Sequence, residues 1–200
     1  MNILLAAVGG QGAVLASRIL GKMAQNSGLD VKVSEVHGMS QRGGSVVTYV
    51  RFGEKIHSPI IEKGTADMIL AFEMLEGARY VEWLKPGGTL ITSSQRIDPM
   101  PVITGTAQYP EDLEERIHAL PIHYKVIDAL TYAREAGNSK TVNVVLIGAL
   151  ASTTDIEEEK WHTAIKESVP EKLAAINLKA FKLGFEMSHS IKSNGENDEI

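Results

Sequence analysis

The chain has 200 residues, a formal net charge of −5, 44% hydrophobic and 22% charged residues, and no cysteine. Without thiolates it cannot be a disulfide scaffold, hold zinc or an iron–sulfur cluster through sulfur, or attack through a cysteine nucleophile. The acidic balance argues against a nucleic-acid partner, and no apolar run reaches the roughly 20 residues of a membrane-spanning helix, so a cytoplasmic protein is expected.

Ile3 to Val8 is almost wholly apolar, as suits a strand buried on both faces, and it runs into Gly9-Gly10-Gln11-Gly12 without the basic start of a signal peptide. Val14, Leu15, Ile19, Leu20 and Met23 then recur at helical spacing, with Gly28 as the stop. Val31, Val33 and Val36 predict a second strand. A polar loop follows from His37 to Gly44, and the β-prone run Val46 to Val50 predicts a hairpin through Gly53. Met68 to Phe72 reads as another buried strand, Glu73 to Leu84 as a helix, Lys85 to Gly88 as a turn, and Thr89 to Thr92 as a strand.

In the second half a charged helix is expected over Glu111 to Leu120, with Ile122 to Ile127 returning to the sheet. Thr141 to Ser152 fits a buried helix better than a strand, because of its length and its Gly148-Ala149 pair. Thr154-Asp155-Ile156-Glu157 has the spacing of a capping box. Pro170 suits the first turn of a last helix with Leu173, Ile176, Ala180 and Phe181 on one face. The expected fold is α/β: a doubly wound, Rossmann-like sheet with a helical C-terminal addition. One domain is expected over 1–187, with a disordered polar tail over 188–200.

Ala7 to Gly12 follows the dinucleotide fingerprint G-x-G-x-x-G with alanine in the first position. Such a turn brings free N–H groups to a helix start, where they favour a phosphate. Glu35, at the end of the second strand, stands about where a ribose-binding acid belongs. The same glycines would equally serve tight strand–helix packing, with Glu35 a solvated strand end.

His37-Gly38-Met39-Ser40-Gln41-Arg42-Gly43-Gly44 should emerge at the same carboxyl edge of the sheet. Its hydroxyl, amide and guanidinium donors suit an anionic ligand or a partner's polar surface; a solvated surface loop is the plainer alternative. Together, Val8-Gly9-Gly10-Gln11-Gly12 and this loop resemble the gamma-type domain of 2-oxoacid:ferredoxin oxidoreductases, most closely the small (beta) subunit of the indolepyruvate branch. The resemblance extends through Ser58-Pro59-Ile60-Ile61, Gly64-Thr65-Ala66-Asp67, Phe72-Glu73, Pro86-Gly87-Gly88, Asn143, Gly148-Ala149, Pro170, Asn177, Ala180-Phe181 and Gly184. Ala7 departs from the glycine commoner there.

The resemblance implies one subunit of a heteromeric enzyme that converts aryl 2-oxoacids to acyl-coenzyme A and passes electrons to ferredoxin. Thiamine diphosphate, Mg and the iron–sulfur clusters would belong to a large partner subunit, and coenzyme A would be a cosubstrate. The absence of cysteine, and of a Gly-Asp-Gly run for a metal-bound diphosphate, agrees with that division. Gly9, Gly10, Gln11, Gly12, Ser40, Gln41, Arg42, Gly43 and Gly44 are the expected ligand- or partner-binding residues, with Arg42 supplying charge and Gln41 orientation. Secondary candidates are Glu35, His37 and Glu73; for Glu73, capping the following helix is the simpler role. The six histidines lack the spacing of a metal site. Two other readings stand beside this one: a free-standing nucleotide-binding regulatory module, and an assembly subunit whose loops only touch a partner. An exposed partner surface would also allow the isolated chain to self-associate, which the sequence does not decide.

Overall fold

The computed structural model describes residues 1–37 and 44–190. Its strands are β1 (Asn2–Val8), β2 (Asp30–His37), β3 (Ser45–Gly53), β4 (Ala66–Ala71), β5 (Leu84–Ser93) and β6 (His123–Ile127). The helices are α1 (Ala13–Asn26), α2 (Met74–Tyr80), α3 (Met100–Ile103), α4 (Leu113–His118), α5 (Ala129–Ala136), α6 (Val142–Ala151), α7 (Glu158–Ser168) and α8 (Glu171–Ser190). The α/β fold is as expected, and the six strands form one sheet in the order β2-β3-β1-β4-β5-β6.

The sheet is mixed. β1, β4, β5 and β6 are parallel, whereas β3 runs antiparallel to both β1 and β2. Chain length explains this. Only seven residues join His37 to Ser45, too few for the crossover that a parallel pair requires, so β2 and β3 must form a hairpin. The hairpin therefore lies ahead of β3, not beyond it through Gly53. After Gly53 the chain folds over the sheet, where the Arg51 guanidinium donates to the carbonyls of Ser58 (2.9 Å) and Ile60 (2.8 Å). Two antiparallel steps restore the direction of β2 to that of β1. The pairs Val8–Ser45 and His37–Val46 thus put both roots of the intervening segment at the carboxyl end of β1, as expected.

Alternation along β1 divides the core. Ile3, Leu5 and Ala7 face the layer of α1 and α5–α8, while Leu4 and Ala6 face the layer of α2 and α4. Both sets are fully buried, which is why the strand reads as a continuous apolar run. α1 ends as predicted: Gly28 adopts φ 75°, its N–H reaches the Gln25 carbonyl, and Leu29 N–H reaches that of Ala24.

α6 is a helix, and every residue from Asn143 to Ala151 is buried. It has no polar stripe because α1, α5, α8 and β5 surround it. Its closest neighbour is α8. A Cβ on Gly148 would fall on the Phe181 carbonyl, and one on Gly184 would fall on that of Val145.

Several boundaries differ from the periodicity. The helix after Glu73 stops at Tyr80 and tightens into a 3-10 turn over Val81–Trp83. β5 already begins at Leu84, and the expected turn at Lys85 to Gly88 is an irregularity inside that strand. The capping box does not form. The Thr154 hydroxyl donates back to the Ala151 carbonyl (2.8 Å), closing α6, and α7 begins later with Glu157 at its cap position. Leu173 is exposed, whereas Ala180 and Phe181 are buried as the helical face predicts. α8 runs through Ser190, and Ser188 is fully buried, so the polar tail does not start at 188. The Ser188 carbonyl accepts from Lys125 Nζ at 2.9 Å.

Candidate functional site

The carboxyl ends of β1 and β4, the start of α1 and the root of β3 meet at one edge of the sheet. The chain leaves Val8 and must reverse direction within four residues. Gly10 (φ 98°) and Gly12 (φ 84°) supply left-handed conformations that side-chain-bearing residues resist. Gly10 is exposed and a Cβ there would meet nothing within 4 Å, so backbone conformation, not space, requires glycine. At Gly12 both requirements act, because a Cβ would lie 2.6 Å from Asn143 Nδ2. That buried amide donates to the Gly12 carbonyl at 3.1 Å and ties the start of α1 to α6.

Gln11 turns inward. Its Oε1 accepts from Val8 N–H (2.8 Å), and its Nε2 donates to the Phe72 carbonyl (2.9 Å) and reaches Gln95 Oε1 (3.5 Å). The side chain therefore bridges β1 to the end of β4 and fixes the shape of the turn. The groups left facing outward are backbone. Gly12 caps α1 without a side-chain hydrogen bond, and no acidic residue occupies the first turn. The positive end of the α1 dipole thus has no anionic side chain of its own opposite it.

The hairpin root docks directly on this turn, where Gly9 N–H donates to the Gly44 carbonyl at 2.9 Å. Gly9, Gly10, Gln11, Gly12 and Gly44 are therefore brought together. Ser40, Gln41, Arg42 and Gly43 lie outside the described residues. His37 ends β2 opposite Val46, at the same edge.

Glu35 is placed elsewhere. It pairs with Thr48, which pairs with Leu5, three residues before the end of β1. With β3 interposed, Glu35 is two strand spacings, roughly 10 Å, from β1. A ribose-binding acid belongs on a strand adjacent to β1, and in this sheet β1 is flanked by β3 and β4, not by β2.

Glu73 is 1% exposed and caps α2, its Oε2 accepting from Glu76 N–H at 2.9 Å. Its other oxygen accepts from the Tyr109 hydroxyl (2.7 Å) and from Ile97 N–H (3.3 Å). Burial, reinforced by the Glu73 charge, raises the Tyr109 pKa and keeps the phenol protonated as a donor. Arg96 lies 4.0 Å over the Tyr109 ring and is paired with Asp98 and Glu111. This carboxylate is fully engaged in holding segment 94–111 against α2, which is the simpler of its two expected roles.

Glu76, buried and joined to Ser45, was not singled out by the sequence reading. The available signal is its position three residues after Glu73 at the start of the same helix. Among the described residues no three His, Asp or Glu side chains converge as a metal-binding group, and no helix is long and apolar enough to cross a membrane.

Residues 2–187 match the family model of pyruvate ferredoxin/flavodoxin oxidoreductase. The chain is 46% identical to the indolepyruvate oxidoreductase subunit IorB of Pyrococcus horikoshii, over 92% of this chain and 93% of that protein. The keto/oxoacid ferredoxin oxidoreductase gamma subunit of Geobacter sulfurreducens superposes with a TM-score of 0.72 at 24% identity, covering 95% of this chain and 99% of that one. A 2-oxoglutarate:ferredoxin oxidoreductase from Magnetococcus marinus, solved with 2-oxoglutarate, coenzyme A and succinyl-CoA bound, matches with a TM-score of 0.73 at 20% identity. There, 96% of this chain covers only 31% of a longer one. By the family match over residues 2–187 and the identity over nearly the whole of both chains, the chain belongs to the pyruvate ferredoxin/flavodoxin oxidoreductase family, as a gamma-type domain.

Proposed function

We propose that this chain is the small, non-thiamine subunit of a cytoplasmic oxidoreductase that converts an aryl 2-oxoacid such as indolepyruvate, with coenzyme A, to the acyl-CoA and CO2, delivering two electrons to ferredoxin. The observation that carries this reading is the near full-length similarity, at 46% identity, to a protein named as an indolepyruvate oxidoreductase subunit. A chain without cysteine offers no thiolate ligands for an iron–sulfur cluster, so electron storage falls to a large partner subunit. That subunit would also hold thiamine diphosphate and Mg, which supply the carbanion chemistry.

This chain's part is to shape the ligand- or partner-facing edge. Gly10 and Gly12 let the backbone approach an anion, and the uncapped start of α1 favours negative charge there. Arg42 adds a guanidinium for a phosphate or carboxylate, while Ser40, Gln41 and the Gly43-Gly44 backbone complete the donors. Gln11 acts from beneath, by holding the turn. The free-standing nucleotide-binding module rested on Glu35 and the glycine turn, and Glu35 does not lie on a strand beside β1.

The test is co-expression with a candidate large subunit, one carrying a thiamine-diphosphate motif and clustered cysteines. Indolepyruvate-dependent ferredoxin reduction should require both chains, and Arg42→Ala should raise KM for coenzyme A or for the oxoacid about tenfold, as expected for one lost charge-assisted contact. Unchanged kinetics in that variant would remove Arg42 from the site.

A further inference from the structure

Glu76 is only 5% exposed, yet its carboxylate is used on both oxygens. Oε2 accepts from the Ser45 hydroxyl at 2.5 Å, and Oε1 is paired with Arg79 Nε at 3.3 Å. Its own N–H is held by Glu73, so the first turn of α2 is pinned before the side chain reaches out. Ser45 is no ordinary strand residue. It is the first of β3, it pairs with Val8 at the last position of β1, and the carbonyl just before it accepts the Gly9 N–H. A continuous run of contacts therefore leads from α2 through Glu76, Ser45 and Gly44 to the glycine turn.

Burying a carboxylate costs stability, and a strand start needs no such partner, since the ladder to β1 already aligns it. We propose that Glu76 is a positioning residue for the reaction. Through Ser45 it holds the C-terminal root of segment 38–44 against the glycine turn, and so fixes the edge at which the anionic substrate is received. The inference rests on the site reading above, but it concerns a residue outside that site.

In the full chain, Gly9 amide exchange measured by NMR reports root docking directly, independent of any ligand. Ser45→Ala and Glu76→Ala should each speed it about tenfold, the double variant should do no more than either single one, and Ser45→Thr should restore protection by returning the hydroxyl. In the assembled enzyme, Ser45→Ala should raise KM for coenzyme A or the oxoacid severalfold with kcat changed less than twofold, and Ser45→Thr should reverse this. Faster Gly9 exchange with an unchanged KM, in an enzyme where Arg42→Ala does raise KM, overturns the positioning role and leaves the site reading standing. Additive effects of the two single substitutions on Gly9 exchange overturn the contact itself. Silence of Arg42→Ala together with a KM effect of Ser45→Ala overturns Arg42's part in the site and keeps the clamp. Silence of both variants overturns the two together.

Discussion

Two groups of glycines in this chain answer different physical demands. At the turn, Gly10 stands in open space but adopts φ 98°, so its constraint is conformational. Between α6 and α8, Gly148 and Gly184 have no such dihedral; each lies where a Cβ would strike the other helix's backbone, so their constraint is steric. A glycine required for its dihedral while facing outward leaves backbone donors accessible. One required for close approach is spent on packing. The first group shapes the edge proposed to receive a ligand, and the second makes the core possible.

The contrast can be broken by substitution. Gly148→Ala should be the most damaging, because the α6–α8 contact is backbone against helix and no flexible side chain can give way. A loss of about 3 kcal/mol or more is expected in denaturant unfolding, or failure to fold at all. Gly10→Ala should cost only about 1–2 kcal/mol in the same measurement, through the left-handed strain. In the assembled enzyme, however, it should raise KM for the anionic substrate. Equal stability losses at the two positions would erase the distinction.

A smaller effect separates Glu76 from residues that merely stabilise. Burial and the neighbouring Glu73 raise its pKa above the usual 4.5, outweighing the Ser45 hydrogen bond and Arg79. The folded state then holds this proton to higher pH than the unfolded one. The contribution of Glu76 to stability is therefore lost as pH rises from 4.5 through the folded value, and is unaffected below both. Glu76→Gln should gain on the native protein across that window and level off above it, as read by unfolding at a series of pH values. A constant difference between the two would show that the buried charge costs nothing.

Much of the architecture was legible because it is written locally. β1, the glycine turn and α1 follow from an apolar run, three glycines and helical spacing within 28 residues, and the start of α8 follows from Pro170. The capping box at Thr154 was misleading for a local reason as well: its hydroxyl had a second acceptor, the Ala151 carbonyl, within reach. The glycine turn was legible as a local conformation, but the inward duty of Gln11 was not, since Phe72 and Gln95 are 61 and 84 residues away.

By itself, then, the sequence determined the family, the parallel core strands, the turn at their carboxyl edge and the inability to hold a cluster through cysteine. Those properties depend on residue type and short spacing. Tertiary structure alone decided that β3 lies between β1 and β2, that Glu35 is thereby carried away from the turn, and that Glu76 reaches Ser45 across β1. These are matters of strand order and of which face two distant segments share. A one-dimensional pattern with period 2 or 3.6 reports which side a residue faces, but not which neighbour it meets there.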